Sequence, residues 1–197
     1  MEERKHSKTI AHAIDNFLKE DGWHYSFDEE TGVFTFGLSL SCTIKKVNYI
    51  VKVKDDKFIV YAISPIGADK DDVDMMTRMG EFINRATFGL VHGNFEFDYN
   101  DGEIRYKICT DCDGIVPSSD MIRNAIYCPG AMFDKYGVGI TQIIFSNISA
   151  KDAVEKCEGS VADMLRSLLD SSTEAEDEET EGSGIKTDPF GTEGDDN

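Results

Sequence analysis

The sequence predicts an α+β fold in which helices pack on an antiparallel sheet, and three observations lead there. Met76, Met79, Ile83, Ala86 and Leu90 recur at spacings of three and four, which places them on one face of a helix over Asp71 to Leu90. Strand-like runs fill the chain before this stretch and resume after it, so the helix has a sheet to cover. Asn100-Asp101-Gly102 separates two of those runs and is a strong short-range hairpin signal.

In chain order, Ile10, Ile14, Phe17 and Leu18, with Ala11 and Ala13, form a short amphipathic helix that Gly22 ends in a left-handed cap. Trp23, Tyr25 and Phe27 alternate with His24 and Ser26, the period of a half-buried strand. After a turn over Asp28 to Gly32, Phe34, Phe36, Leu38 and Leu40 line one face of the next strand. A third strand sets Val47, Tyr49, Val51 and Val53 inward and Lys46, Asn48, Lys52 and Lys54 outward. Phe58 to Ile63 is apolar on both parities, the pattern of a central strand covered on both faces. Asp69, Asp71, Asp72 and Asp74 then place carboxylates at the positive end of the central helix.

The hairpin strands run over Asn94 to Asp98 and Glu103 to Cys109, with Phe95, Phe97, Ile104, Tyr106 and Ile108 inward. Ser118 or Ser119 caps the next helix, which carries Met121, Ile122, Ala125, Ile126, Met132, Phe133 and Tyr136. Pro129 lies inside it and should kink or divide it, and Gly137 and Gly139 should interrupt it before Ile140 to Phe145 resume. Ser149 with Asp152 reads as a capping box opening a last helix through Val154, Cys157, Val161, Met164 and Leu168. Fewer than three heptads, with Gly159 among them, indicate a helix lying on its own core rather than a coiled coil.

The chain has 197 residues, 40% of them hydrophobic, enough for one good core without disulfides or metal. Five cysteines with irregular spacing fit a reducing compartment, and the charged start leads into no signal-peptide apolar run. Together these predict a cytoplasmic protein. Asn147-Ile148-Ser149 matches a glycosylation triplet, which matters only in a secreted chain. The net charge is −18, and Asp170 to Asn197 holds eleven acidic residues against one Lys. We expect a single domain over residues 1–169 and an acidic, disordered tail over 170–197, whose composition cannot bury enough surface to order itself. Both parts repel phosphate, so neither nucleic acid nor an anionic membrane is an expected partner.

No reactive constellation emerges. Cys109-Thr110-Asp111-Cys112 has the spacing of a zinc knuckle or redox pair, but Cys42, Cys128 and Cys157 supply no second pair and no helix opens at the motif, so structural thiols are the expectation. His6, His12, His24 and His92 are scattered. The Asp69 to Asp74 cluster lacks the Gly and Glu of a calcium loop, and Gly137-Val138-Gly139 lacks the third glycine of a dinucleotide loop. We therefore assign no catalytic residue, metal ligand or cofactor. Met75, Met79 and Phe82 form a second apolar stripe beside that of Met76, Ile83 and Leu90. A helix on a single layer needs to bury only one such stripe, so these three residues are the candidate protein interface. Asp188-Pro189-Phe190, an aromatic amid acidic residues, has the form of a linear motif.

Several blocks in order resemble the YbjN-type bacterial proteins, sometimes called sensory transduction regulators. They are Phe17-Leu18-Lys19-Glu20-Asp21-Gly22-Trp23 with Tyr25-Ser26-Phe27-Asp28, Val60-Tyr61-Ala62-Ile63-Ser64-Pro65, Phe82-Ile83-Asn84-Arg85-Ala86 with Gly93-Asn94-Phe95-Glu96, and Asp101-Gly102-Glu103-Ile104-Arg105-Tyr106-Lys107. The resemblance spans Ala11 to Ile148. It implies a type III secretion chaperone-like fold in the order α-β-β-β-β-α-β-β-α-α, commonly a homodimer, and a non-enzymatic protein-binding module, chaperone-like or regulatory. A shared fold does not itself imply a part in secretion. The alternative expectation is a small-ligand or metal-sensing domain using Cys109 and Cys112 or a pocket between the closing helices and the sheet.

Overall fold

The computed structural model describes residues 6–159. The elements are α1 (Lys8–Glu20), β1 (Tyr25–Asp28), β2 (Val33–Ser39), β3 (Lys46–Val53), β4 (Lys57–Ile63), α2 (Val73–Thr87), β5 (Asn94–Phe97), β6 (Ile104–Asp111) and α3 (Ser119–Phe145). A fourth helix, α4, starts at Ala150 and covers 150–159 of the described chain. The order is the expected one, and the described residues up to Glu158 form one compact unit. The domain limit at 169, the seam positions Val161, Met164 and Leu168, the acidic tail and Asp188-Pro189-Phe190 lie outside the described residues.

The six strands form one antiparallel sheet in the order β1-β2-β3-β4-β6-β5. Short turns build most of it. Gly102 adopts φ +79° and donates its N–H to the Asp98 carbonyl, closing the β5–β6 turn. The long connection through α2 lets β5 add outside β6, so β4 and β6 become neighbours although α2 and β5 separate them in the chain.

Local signals set the helix ends. Ser7, Asp72 and Ser118 each accept a backbone N–H as N-caps of α1, α2 and α3. Gly22, at φ +76°, ends α1 while Trp23 N–H reaches back to the Leu18 carbonyl. The hydroxyl of Ser149 accepts from Asp152 N–H and donates to its carboxylate at the start of α4. The central helix is shorter than its apolar pattern: it stops at Thr87, and Leu90 lies half-buried in the turn that follows.

Two expectations about α3 fail. The helix is continuous over its 27 residues despite Pro129. Proline removes the donor that the Ala125 carbonyl would have had, and one residue further on the hydroxyl of Tyr49 on β3 donates to the Ile126 carbonyl at 2.8 Å, tying this turn of the helix to the sheet. The glycines do not interrupt it either; they are notches. A Cβ on Gly130 would lie 2.5 Å from Leu38, one on Gly137 2.6 Å from Cys42, and one on Gly139 2.5 Å from the Phe82 ring. Packing against β2, the β2–β3 loop and α2 outweighs the helix propensity that each glycine gives up, about 1 kcal/mol.

All the helices share one core with one side of the sheet. Phe34, Phe36, Val47, Tyr49, Val51, Val53, Phe58, Val60, Ala62, Phe95, Ile104, Tyr106 and Ile108 are buried in a cluster with Ile14, Leu18, Met79, Phe82, Ile126, Phe133 and Tyr136. Phe95 meets the rings of Phe133 and Tyr136 edge-on at 5.3 and 5.8 Å. The opposite parity of β4 corrects the sequence reading. Ile59, Tyr61 and Ile63 are only half-buried and do not pack against that core, because no described helix crosses to their side. The strand is central in the sheet but is helix-covered on one face.

Candidate interaction surface

Met75, Met79 and Phe82 are not an exposed stripe. Met79 and Phe82 are both 0% exposed, and half-buried Met75 packs against the same core. The reason is the position of α2, which touches β5 on one side and α3 on the other. A helix with two neighbours buries two stripes: Met76, Ile83 and Ala86 are covered together with Met79 and Phe82. Phe82 meets Tyr136 edge-on at 6.4 Å, and the missing side chain of Gly139 leaves room for its ring.

The other candidate groups are also apart. Cys109 sits on β6 opposite Ile59 on the helix-free side of the sheet, exposed. Cys112 lies beyond the end of β6, buried, with its N–H on the Asp56 carbonyl, and burial pushes its thiol pKa up. All five cysteines are free thiols. Among the described residues, no group of three or more His, Cys, Asp or Glu side chains could hold a metal ion. His6 and His12 border one open depression with Lys8, Asp15, Lys19 and Glu29. His92 borders a second, shallow one with Asn124, Tyr127 and Cys128. His24 is exposed on the segment leading into β1.

Outside the core, the sheet has one face that no described helix covers. Strand alternation puts every second residue there, and register lines them up in rows across the strands. One row runs Thr35, Ile50, Tyr61, Lys107 and Asn94; the next runs Gly37, Asn48, Ile63, Arg105 and Glu96. A third holds Val33, Lys52, Ile59 and Cys109, and Lys57 faces Asp111 beyond it. Ile50, Ile59, Tyr61 and Ile63 thus make a half-buried apolar centre on the two middle strands.

Cations surround that centre. Lys52 lies 5.4 Å and Arg105 4.8 Å from the middle of the Tyr61 ring. Glu96 accepts from Arg105 Nε at 2.7 Å and also from Lys107. Its partial burial opposes ionisation, but these two cations outweigh that and hold its carboxyl below the usual range. Arg105 and Glu96 are direct cross-strand partners and Lys107 reaches Glu96 diagonally from the next row, arrangements in which opposite charges stabilise a sheet. Along the strands of this face Lys46, Lys52, Lys57, Arg105 and Lys107 alternate with Asp28, Glu96 and Asp111, and at the strand ends Glu103 also pairs with Arg105 at 3.4 Å and Asp56 with Lys57 at 3.2 Å.

Sequence reading placed Lys46, Asn48 and Lys52 outward but missed the site they belong to. The available signal was the doubly apolar run Phe58 to Ile63, which was assigned to burial under a second layer. Apolar residues on a strand's outer parity mean either a covering layer or an open adhesive face, and only the helix positions distinguish the two. A separate apolar projection occurs at the turn after α2, where Phe88 is 91% and Val91 101% exposed. No described helix is long and apolar enough to cross a membrane. No protein-family model and no curated protein sequence matches this chain.

Proposed function

We propose that this chain is a non-enzymatic protein-binding module, a chaperone-like or regulatory adaptor of the YbjN type, with a type III secretion chaperone-like fold and a homodimeric assembly. The observation that carries the reading is the helix-free sheet face with Ile50, Ile59, Tyr61 and Ile63 at its centre and polar groups around them. An apolar centre with a polar rim is the anatomy of a protein interface. A flat face of this kind offers a partner area and offers a small molecule no enclosure. The order of elements and the sequence blocks that resemble the YbjN-type proteins support the same reading.

The test is site-specific photo-crosslinking in the native cell. A photoreactive residue at position 59 is compared with one at the exposed position 81 on α2. The expected result is a defined protein adduct from position 59 alone. Equal labelling from both positions, or none from 59, removes the reading. Light scattering tests the assembly separately: a mass of 22.0 kDa, that of a single chain, would refute the homodimer.

A further inference from the structure

We infer that two copies of this chain dock through the turn after α2, with Phe88 and Val91 of each copy seated in the depression beside His92 and α3 of the other. The inference rests on the homodimeric reading and specifies its surface. The backbone builds the projection. Phe88 has φ −62° and ψ 122° and Gly89 has φ +84°, the angles of a type II turn with glycine in its third position. Leu90 N–H closes the turn by donating to the Thr87 carbonyl at 3.1 Å. Leu90 packs inward, while Phe88 and Val91 stand almost wholly exposed. The His92 carbonyl then accepts from the Tyr106 hydroxyl at 2.6 Å and from the Cys128 thiol at 3.7 Å, which ties the segment to β6 and α3. Two apolar side chains are thus held out in a set geometry, and covering them costs little ordering entropy.

The receiving surface lies next to this projection. His92, Asn124, Tyr127, Cys128 and Ala131 border the open depression, so His92 belongs to both the projecting segment and the hollow. A knob and a hollow side by side are self-complementary: on a two-fold axis each copy's knob meets the other's hollow. Charge selects the same occupant. Two chains of net charge −18 repel, and self-docking sets like charges near the axis against each other, so it needs a surface without them. Although 29% of all residues are charged, Ala86 to Phe95 and Asn124 to Phe133 contain no Asp, Glu, Lys or Arg. The charges that end these stretches have partners within the chain: Arg85 pairs with Glu81, Glu96 with Arg105 and Lys107, Arg123 with Asp120, and Asp134 accepts the Ser41 and Cys42 N–H groups. Asp21, the carboxylate that borders the hollow through the Tyr127 hydroxyl, also accepts from Trp23 Nε1. A covered Phe88 supplies about 200 Å² of the roughly 800 Å² that each partner gives to a stable interface, so the uncharged stretch of α3 has to be covered with it. Insertion into a bilayer is the other use of such a turn, but no Lys or Arg lies in the projecting stretch to hold an anionic headgroup.

Sedimentation equilibrium of the full chain measures the dimer dissociation constant for the native protein, Phe88→Glu and Val73→Glu. Val73 is 78% exposed at the other end of α2, about 20 Å away along the helix, so its variant adds the same charge outside the contact. Phe88→Glu should weaken dimerisation about thirtyfold or more, the loss of one hot-spot side chain, and Val73→Glu should leave it unchanged. Circular dichroism confirms that both variants fold. A photoreactive residue at position 88 should cross-link to residues 124–131 of a second copy, mapped by mass spectrometry. The inference is overturned if the two variants weaken the dimer equally, or if the adducts map elsewhere on the second copy. A dimer untouched by Phe88→Glu leaves the homodimeric reading standing on another surface, and a native mass of 22.0 kDa at every concentration removes both. A monomer that floats with phosphatidylcholine vesicles, and no longer does so as Phe88→Glu, overturns the inference in favour of a membrane contact.

Discussion

Replacing Gly139 with Ala opposes two effects of known sign. In an exposed helix interior, Gly to Ala stabilises by about 1 kcal/mol, because Ala gives up less backbone entropy. Here the new Cβ would lie 2.5 and 2.6 Å from two atoms of the Phe82 ring and 2.9 Å from the Cys157 sulfur. Phe82 is 0% exposed and Cys157 is 1% exposed, so neither neighbour can swing into solvent. Overpacking of a closed core costs typically about 1–3 kcal/mol, and three contacts below 3 Å put this site near the upper end. The net expectation is a loss of roughly 1–2 kcal/mol. For a chain of this size that lowers Tm by about 2–8 °C, measurable by circular dichroism melting or urea unfolding. The Gly139→Ala, Phe82→Leu double variant should be less destabilised than the two single losses added, with a coupling of about 1 kcal/mol. A rise in Tm for Gly139→Ala, the result propensity alone predicts, would show that Phe82 does not lie against α3 and would reopen it as a surface residue.

Three further outcomes are expected. Tyr49→Phe removes the 2.8 Å hydrogen bond to the Ile126 carbonyl, and urea unfolding should show a loss of about 1 kcal/mol; no change would mean that the hydroxyl does not hold this turn of the helix to the sheet. Thr110→Val removes a buried hydroxyl that has no hydrogen-bond partner among the described residues while keeping the branched shape a strand favours, so stability should rise by about 1 kcal/mol. A loss there would reveal a partner for that hydroxyl. Burial opposes ionisation of Asp15, but Lys19 and Tyr25 outweigh it and hold its carboxyl below 3.8. A depressed folded pKa gives stability that is present above the unfolded value and is lost as pH falls through the folded one. The stability gap between the native chain and Asp15→Asn should therefore be full near neutral pH and close below about pH 4; a gap unchanged from pH 6 to pH 2 would contradict this.

Patterns within short windows were legible. The inward parity of Val47, Tyr49, Val51 and Val53, the Asn100-Asp101-Gly102 turn, the Ser118 cap and the Ser149-Asp152 box were all readable because each depends on neighbours a few residues away. The misreadings have a common source. Pro129, Gly137 and Gly139 suggest a broken helix by propensity, yet the helix is continuous, and Cys42 and Phe82 from distant parts of the chain pack into the notches that the two glycines leave. Met79 and Phe82 looked surplus because a spacing pattern counts apolar stripes without counting the neighbours that cover them.

By itself the sequence determined that this chain makes helices and antiparallel strands in this order, which residues alternate, and where the turns fall, since steric and hydrogen-bond rules along the backbone fix these locally. The tertiary structure alone decided that every described helix lies on one side of the sheet. That choice buries both stripes of α2, leaves Ile59, Tyr61 and Ile63 without a covering helix among the described residues, and brings Lys52 and Arg105 to the same ring. Periodicity assigns residues to two faces, but which face is covered depends on where distant segments pack, and no spacing along the chain records that.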